Sequence, residues 1–184
     1  MEKNVLVPVA DGTEELEAMG IVDVLRRAGA NVTMASVTGN LQFTTSHEVR
    51  IMADRLIGDC INEDYDLVVL PGGIPGADNL RDSKDLVRIL KNQNEKQKLY
   101  GAICASPAVI LEHHGLLKGK KATCHPGFVD QLANPESVES IVVTDGNCVT
   151  SRGAGTAVAF ALELVRLLYG PEKRAEVAGA MVTQ

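Results

Sequence analysis

One cysteine of this chain stands where a nucleophile would be placed. Leu99-Tyr100-Gly101-Ala102-Ile103 is an apolar run leading straight into Cys104, and a helix opens within two or three residues, at Ala105-Ser106-Pro107-Ala108. A thiol at such a strand-to-helix corner projects beyond the carboxyl edge of a sheet. The free N–H groups and positive dipole end of the helix favour an anion beside it. For cysteine that anion is the thiolate, the reactive form. Two further corners carry groups suited to serve it. Gly72-Gly73 can turn the backbone so that an N–H faces the cleft with no Cβ to block a bound oxygen, and the N–H of Ala105 supplies a second donor. Glu14, Glu15 and Glu17 open the first helix, and Glu17 falls closest to its apolar positions. Buried beside a thiolate, Glu17 would be driven toward its neutral form by desolvation and like charge, and could then act as acid or base. His125, after another expected strand end, is the other candidate proton carrier.

Each of these residues also has a plainer reading. A cysteine in apolar surroundings is commonly a small buried hydrophobe, and it is the corner position that singles out Cys104. Cys60, Cys124 and Cys148 keep that plainer reading, Cys124 least firmly because it adjoins His125. Glu14 and Glu15 read as solvated helix-start charges favoured by the dipole. Pro71-Gly72-Gly73 can be only a loop, and His125 before Pro126 can be a cap or a surface residue. Arg152, in a glycine-rich loop, reads as a structural hydrogen-bond donor ahead of a phosphate ligand.

The elements that must position these groups alternate strand and helix. Val5–Val9 is a strand ending in Ala10-Asp11-Gly12-Thr13, with Thr13 the expected N-cap of a helix to about Ala28 whose buried face includes Leu16, Met19, Ile21, Val22, Val24 and Leu25. A strand over 31–37 completes a βαβ unit and implies a parallel sheet. Leu41–Thr45 and Val49–Met52 fit a hairpin excursion. Asp66–Leu70 is a strand buried on both faces, 74–80 a loop, and Ser83–Gln97 an amphipathic helix. Beyond Cys104, a helix over 105–113, a short strand over 121–124, and a hairpin turning at Asp145-Gly146-Asn147 are expected. Helices over 157–168 and from Pro171 to about Met181 follow. The pattern predicts one three-layer α/β domain over residues 1–184.

Bulk properties narrow the function. The chain has 184 residues, 45% of them hydrophobic, and a net charge of −6, which with no clustered basic stripe argues against nucleic acid or an anionic membrane as partner. No apolar run approaches the roughly 20 residues of a membrane span, and Met1-Glu2-Lys3-Asn4 passes into a strand without a secretory leader. A cytoplasmic location is expected. The four cysteines form no C-x-x-C pair, so neither a disulfide framework nor a zinc knuckle is indicated.

Taken together, Val68-Val69-Leu70-Pro71-Gly72-Gly73, Ala102-Ile103-Cys104-Ala105-Ser106-Pro107-Ala108, Glu14-Glu15-Leu16-Glu17 and Thr150-Ser151-Arg152-Gly153-Ala154-Gly155-Thr156 resemble the DJ-1/PfpI superfamily, specifically its DJ-1 branch. The resemblance runs in order over essentially the whole chain. It implies a flavodoxin-like sandwich and a homodimer, with Cys104 as nucleophile and redox-sensitive thiol, Glu17 as its carboxylic partner and His125 as the nearby histidine. Gly72, Gly73 and Ala105 would lie among the backbone donors. Two positions depart from the pattern: Ser46-His47 where relatives commonly read Ser-Arg, and Gly153-Ala154-Gly155 where Gly-Pro-Gly is usual. Protease-like members place a histidine directly after the cysteine, and Ala105 stands there, which argues against a peptidase or amidase.

The resemblance implies a cysteine-dependent enzyme on reactive dicarbonyls, a glyoxalase or deglycase with a role in carbonyl or oxidative stress, requiring no cofactor and no metal. Its substrate would be a small carbonyl compound or a glycated thiol or amine adduct. The alternative from another class is a redox-sensing stress chaperone that uses oxidation of Cys104 without significant catalysis.

Overall fold

The computed structural model describes residues 2–183. Its strands are runs of β-branched and aliphatic residues whose alternate side chains enter different cores. In β1 (Asn4–Val9), Val5, Val7 and Val9 point to one side and Leu6 to the other. In β6 (Leu67–Leu70), Leu67 and Val69 share the first side while Val68 and Leu70 take the second. This period of two, apolar on both faces, is what a central parallel strand covered by helices requires.

Seven strands form the sheet, in the order β5-β2-β1-β6-β7-β9-β8. Beside β1 and β6 these are β2 (Asn31–Ser36), β5 (Arg55–Leu56), β7 (Leu99–Ile103), β8 (Val142–Asp145) and β9 (Cys148–Ser151). All neighbours are parallel except β8 and β9, a hairpin turning at Gly146-Asn147. The five long parallel strands, β2-β1-β6-β7-β9, run in the 2-1-3-4-5 order of a flavodoxin-like sheet. The helices α1 (Glu15–Arg27) and α4 (Ala157–Tyr169) pack on one face, with α5 (Pro171–Ala180) against α4. The other face carries α2 (Gly76–Asp82), α3 (Lys84–Glu95) and a π-wound segment, Pro107–Glu112. The result is a three-layer α/β/α sandwich. The expected excursion is a separate two-stranded ribbon, β3 (Gln42–Thr44) with β4 (Arg50–Met52).

Several local expectations change. Thr13 is not the N-cap of α1: its hydroxyl accepts from Ala10 N at 2.9 Å and closes the preceding turn, while the Glu14 carboxylate accepts from Glu17 N at 2.6 Å and caps the helix. Leu16 does not join the buried face but stands 55% exposed. Most of the expected loop over 74–80 is α2, which packs against the π-wound segment. The expected strand over 121–124 is extended chain without a ladder, because β9 already occupies that side of β7 and the chain's amides bond side chains: Lys121 N to Asp145 Oδ2 and Thr123 N to Thr150 Oγ1. The helix expected over 105–113 is π-wound over Pro107–Glu112. Ser83 caps α3 through Leu86 N, as its place before the amphipathic run implies.

Candidate active site

Three strand ends meet near the point where the order of the parallel strands reverses, between β1 and β6. The end of β7 carries Cys104 at φ 65°, a left-handed conformation that a side chain with a Cβ rarely adopts. The fold over-determines it. Cys104 N donates to Ser151 O at 3.1 Å, and His125 N donates to Cys104 O at 2.8 Å, so the residue is held from both sides along its main chain. The following Ser106 hydroxyl donates to Pro71 O at 2.6 Å and locks this corner to the end of β6. Ser106 has no role among the sequence expectations above; a hydroxyl two residues after the nucleophile, at a helix start, is the signal that marks it.

Glu17, from the first turn of α1, is fully buried. Its Oε2 accepts from Gly72 N at 2.8 Å, which explains why a carboxyl is tolerated there. The other oxygen, Oε1, is buried without a hydrogen-bond partner, and the Cys104 thiol adjoins the carboxyl. Gly72 is the contact between them: a Cβ built on it would lie 2.5 Å from Cys104 Cβ and 2.8 Å from Glu17 Oε2. Gly73 takes φ 90°, and a Cβ there would strike the backbone of Gly12 and Glu14 at the end of β1. Close backbone approach at these two positions brings the carboxyl to the sulfur.

The electrostatics follow from burial. Burial raises the Glu17 pKa to about 7, and the neighbouring charge of Glu14 adds to the rise against the opposing Gly72 N–H. Burial pushes the Cys104 thiol up to about 12, with the Glu17 carboxylate contributing and the N–H groups of Gly73 and Ala105 opposing. Both groups therefore resist ionising together, and above about pH 7 the pair carries one negative charge and one proton. With Gly72 N–H engaged by Oε2, the free Oε1 is the oxygen that can hold that proton or pass it on.

Of the donors expected from sequence, Gly73 and Ala105 face the sulfur, while Gly72 spends its N–H on Glu17. His125 reaches Cys104 through its backbone. Its ring is exposed, and Nδ1 accepts from Gly127 N at 3.1 Å as the cap of a 3₁₀ turn, Pro126–Gln131. Cys60, Cys124 and Cys148 are buried and free, without a carboxyl partner of the Glu17 kind. Burial raises Cys124 to about 11 and Cys148 to about 12. Arg152 meets the exposed Glu139 at 3.5 Å and leaves its Nε buried without a partner. A groove of about 710 Å³ along α3, lined by Ile61, Lys84, Arg88 and Lys91 among others, includes none of these groups. Among the described residues no helix is long and apolar enough to cross a membrane.

Comparison with known proteins gives one coherent set of relatives. The model of the DJ-1/PfpI family matches residues 3–167. Protein DJ-1 homolog B of Arabidopsis thaliana is 49% identical over 176 residues, 96% of this chain and 40% of that protein, so the chain spans well under half the length of this relative. A Caenorhabditis elegans protein named glutathione-independent glyoxalase DJR-1.2 is 35% identical over 171 residues, 92% of this chain and 89% of that protein. The solved structure of Toxoplasma gondii DJ-1, oxidized, superposes with a TM-score of 0.96 at 45% identity, covering 98% of each chain.

Proposed function

This chain belongs to the DJ-1/PfpI family, and from that premise we propose that it is a cysteine-dependent enzyme acting on reactive dicarbonyls, of the glyoxalase or deglycase type, without an organic cofactor. One observation carries the reading: the Cys104 thiol, at its left-handed corner, adjoins the buried Glu17 carboxyl and faces the N–H groups of Gly73 and Ala105. The relative named as a glutathione-independent glyoxalase supports the substrate class.

A thiol with its pKa near 12 is not ionised on its own at neutral pH, so its proton passes to Glu17 as sulfur attacks. With methylglyoxal, the S–C bond forms at the aldehyde carbon and the carbonyl electron pair moves to oxygen, where the backbone N–H groups stabilise it. Glu17 then returns the proton to that oxygen, giving a hemithioacetal and leaving Glu17 a carboxylate. The carboxylate takes the proton from the former aldehyde carbon, the electron pair of that C–H bond shifts toward the ketone oxygen, and an enediolate forms beside neutral Glu17. Reprotonation at the neighbouring carbon yields a lactoyl thioester on Cys104. Water cleaves the C–S bond, releasing lactate and restoring the thiol, so that the sum is methylglyoxal plus water to lactate. In the deglycase variant sulfur bonds to the tetrahedral carbon of a hemithioacetal or aminocarbinol adduct as that carbon's bond to the carrier breaks, the thiol proton passes through Glu17 to the departing thiol or amine, and the same Cys104 hemithioacetal results.

Lactate formation from methylglyoxal tests this. Wild type should turn over and Cys104→Ala should not, and turnover retained by the variant refutes the mechanism. The redox reading has its own support in the similarity to the oxidized Toxoplasma protein. Under that reading, peroxide adds two oxygens to Cys104 as a sulfinate, and neutral Glu17 donates a hydrogen bond to it. Mass spectrometry showing that gain, in protein that leaves methylglyoxal unconsumed, would favour the sensor.

A further inference from the structure

Away from the cysteine corner, α3 and the 61–64 segment before β6 line a groove of about 710 Å³. That is the size of a small-molecule site. Burial of Leu86, Ile89 and Leu90 fixes which way α3 faces, and it leaves Lys84, Arg88 and Lys91 as an exposed row along the groove. Their spacing, four residues and then three, puts like charges next to one another on one helix face, which weakens a helix, and Lys84 stands at the positive end of the helix dipole. The row is uncompensated. Among the described residues none of the three has a carboxylate within 4.0 Å, although the chain carries a net charge of −6 and most of its other lysines and arginines are ion-paired. Such a concave row concentrates positive potential and favours an anion.

The carboxylates that line the groove are engaged elsewhere or gathered at its other end. Asp64 meets Lys96 at 2.9 Å and Lys98 at 3.5 Å, which places it beside the last turn of α3, where Glu95 also lies. Glu63 is taken up by Arg55 at 2.6 Å and by the Tyr65 hydroxyl at 3.0 Å. At about 1.5 Å of rise per residue, Glu95 stands about 16 Å along the axis from Lys84. The groove therefore has a cationic head and an acidic tail. A nucleic acid or an acidic peptide running its length would meet Asp64 and Glu95, whereas a compact anion at the head would not. Lys84, Arg88 and Lys91 span about 10 Å of helix axis, close enough for their long side chains to converge on one diphosphate group. Arginine between two lysines offers phosphate oxygens a planar fork and two point charges. The remaining lining, half-buried Ile61 and Val87 with the amides of Asn62 and Asn92, suits an uncharged organic body with hydrogen-bonding edges, such as a nucleobase.

We propose that this groove binds a small organic diphosphate of the nucleoside diphosphate class, with its phosphates on Lys84, Arg88 and Lys91 and its uncharged body on Ile61 and Val87. The site is separate from the sulfur chemistry and stands whether or not the protein acts on dicarbonyls. Isothermal titration of the full chain with ADP, at low salt and with EDTA present, tests it on wild type, Arg88→Gln, Lys84→Gln combined with Lys91→Gln, and Lys118→Gln as a control outside the groove. All four positions are exposed, so the variants keep the fold, and their Tm values check this. We expect one ADP per chain for wild type, affinity weakened about 10-fold or more in Arg88→Gln and in the double variant, no change in Lys118→Gln, and binding that weakens as salt is raised. Pyrophosphate should compete, adenosine should not bind, and the amide resonances that move with ADP should be those of α3 and residues 61–64. The proposal is overturned if wild type shows no saturable binding, if Arg88→Gln keeps wild-type affinity, or if Lys118→Gln loses as much. It is equally overturned if adenosine binds as well as ADP, if the amides that move belong to the cysteine corner, or if an oligoglutamate peptide occupies α3 more tightly than ADP.

Discussion

Glu17 and His125 both approach Cys104 from neighbouring chain corners, and the molecule treats them in opposite ways. Glu17 is sealed under α1 with one oxygen on Gly72 N–H and the other free beside the thiol. His125 is exposed, its ring engaged with Gly127 N, and its grip on the nucleophile is a main-chain N–H that any residue except proline would supply. A strand-end position is therefore not enough to make a proton carrier; the side chain must also be desolvated and left with an unspent atom facing the chemistry. Substitution separates the two roles. Glu17→Gln keeps an acceptor for Gly72 N–H but removes the shuttled proton, and lactate formation should fall about 10³-fold, within the range of general acid–base groups. His125→Ala keeps the backbone bond and should stay within about 10-fold of wild type. Steady-state kinetics on both variants decides it, and the comparison breaks if the histidine variant suffers the larger loss.

The two corners also differ in how tightly they are built, which a single methyl group can probe. At Gly72 an added Cβ meets Cys104 Cβ at 2.5 Å and Glu17 Oε2 at 2.8 Å, and neither can retreat, since one is next to a pinned backbone and the other is buried. Gly72→Ala should cost about 3 kcal/mol in urea unfolding, the upper end of the usual range for overpacking, and should abolish turnover in whatever folds. At Gly127 the nearest atom is His125 Nδ1, 3.3 Å away on an exposed ring that need shift only slightly to make room. Gly127→Ala should change stability by less than about 0.5 kcal/mol. Equal costs at the two glycines would mean that the Glu17 corner is no more closely packed than the His125 corner.

The contrast marks what the sequence could convey. Alternating strands and helices, the cysteine at a corner and the glycine pair were legible because period, turn residues and a bulky-to-small switch are local signals. Glu17 was legible as an inward-pointing carboxyl because it falls next to the apolar face of α1. What the sequence could not convey was the partner of each polar atom. Thr13 and Glu14 are both competent caps, and the choice rests on Ala10 N taking the threonine hydroxyl. Gly72 and Gly73 look alike as donors, yet Gly72 N–H belongs to Glu17, a contact spanning 55 positions. The extended chain at 121–124 reads like a strand and fails to be one because β9, from later in the chain, takes the place beside β7.

The remaining difference concerns what Glu17 costs the fold. Its carboxyl ionises near 4.5 in an unfolded chain and near 7 in the folded one, with burial the main cause. Folded protein thus binds more protons than unfolded protein between those values, and stability falls as pH rises through that window. The group's contribution is complete below about pH 4.5 and is gone above about pH 7. A neutral amide has no charge to desolvate, so Glu17→Gln should gain on wild type across the same interval and hold a constant lead above it. At about 1.4 kcal/mol per unit of pKa difference, that lead is at most about 3–4 kcal/mol. Urea unfolding of both proteins at several pH values between 4.5 and 8 measures it. A gap that does not change with pH would show Glu17 ionising in the ordinary carboxylate range, and the shared-proton pair with Cys104 would fall with it.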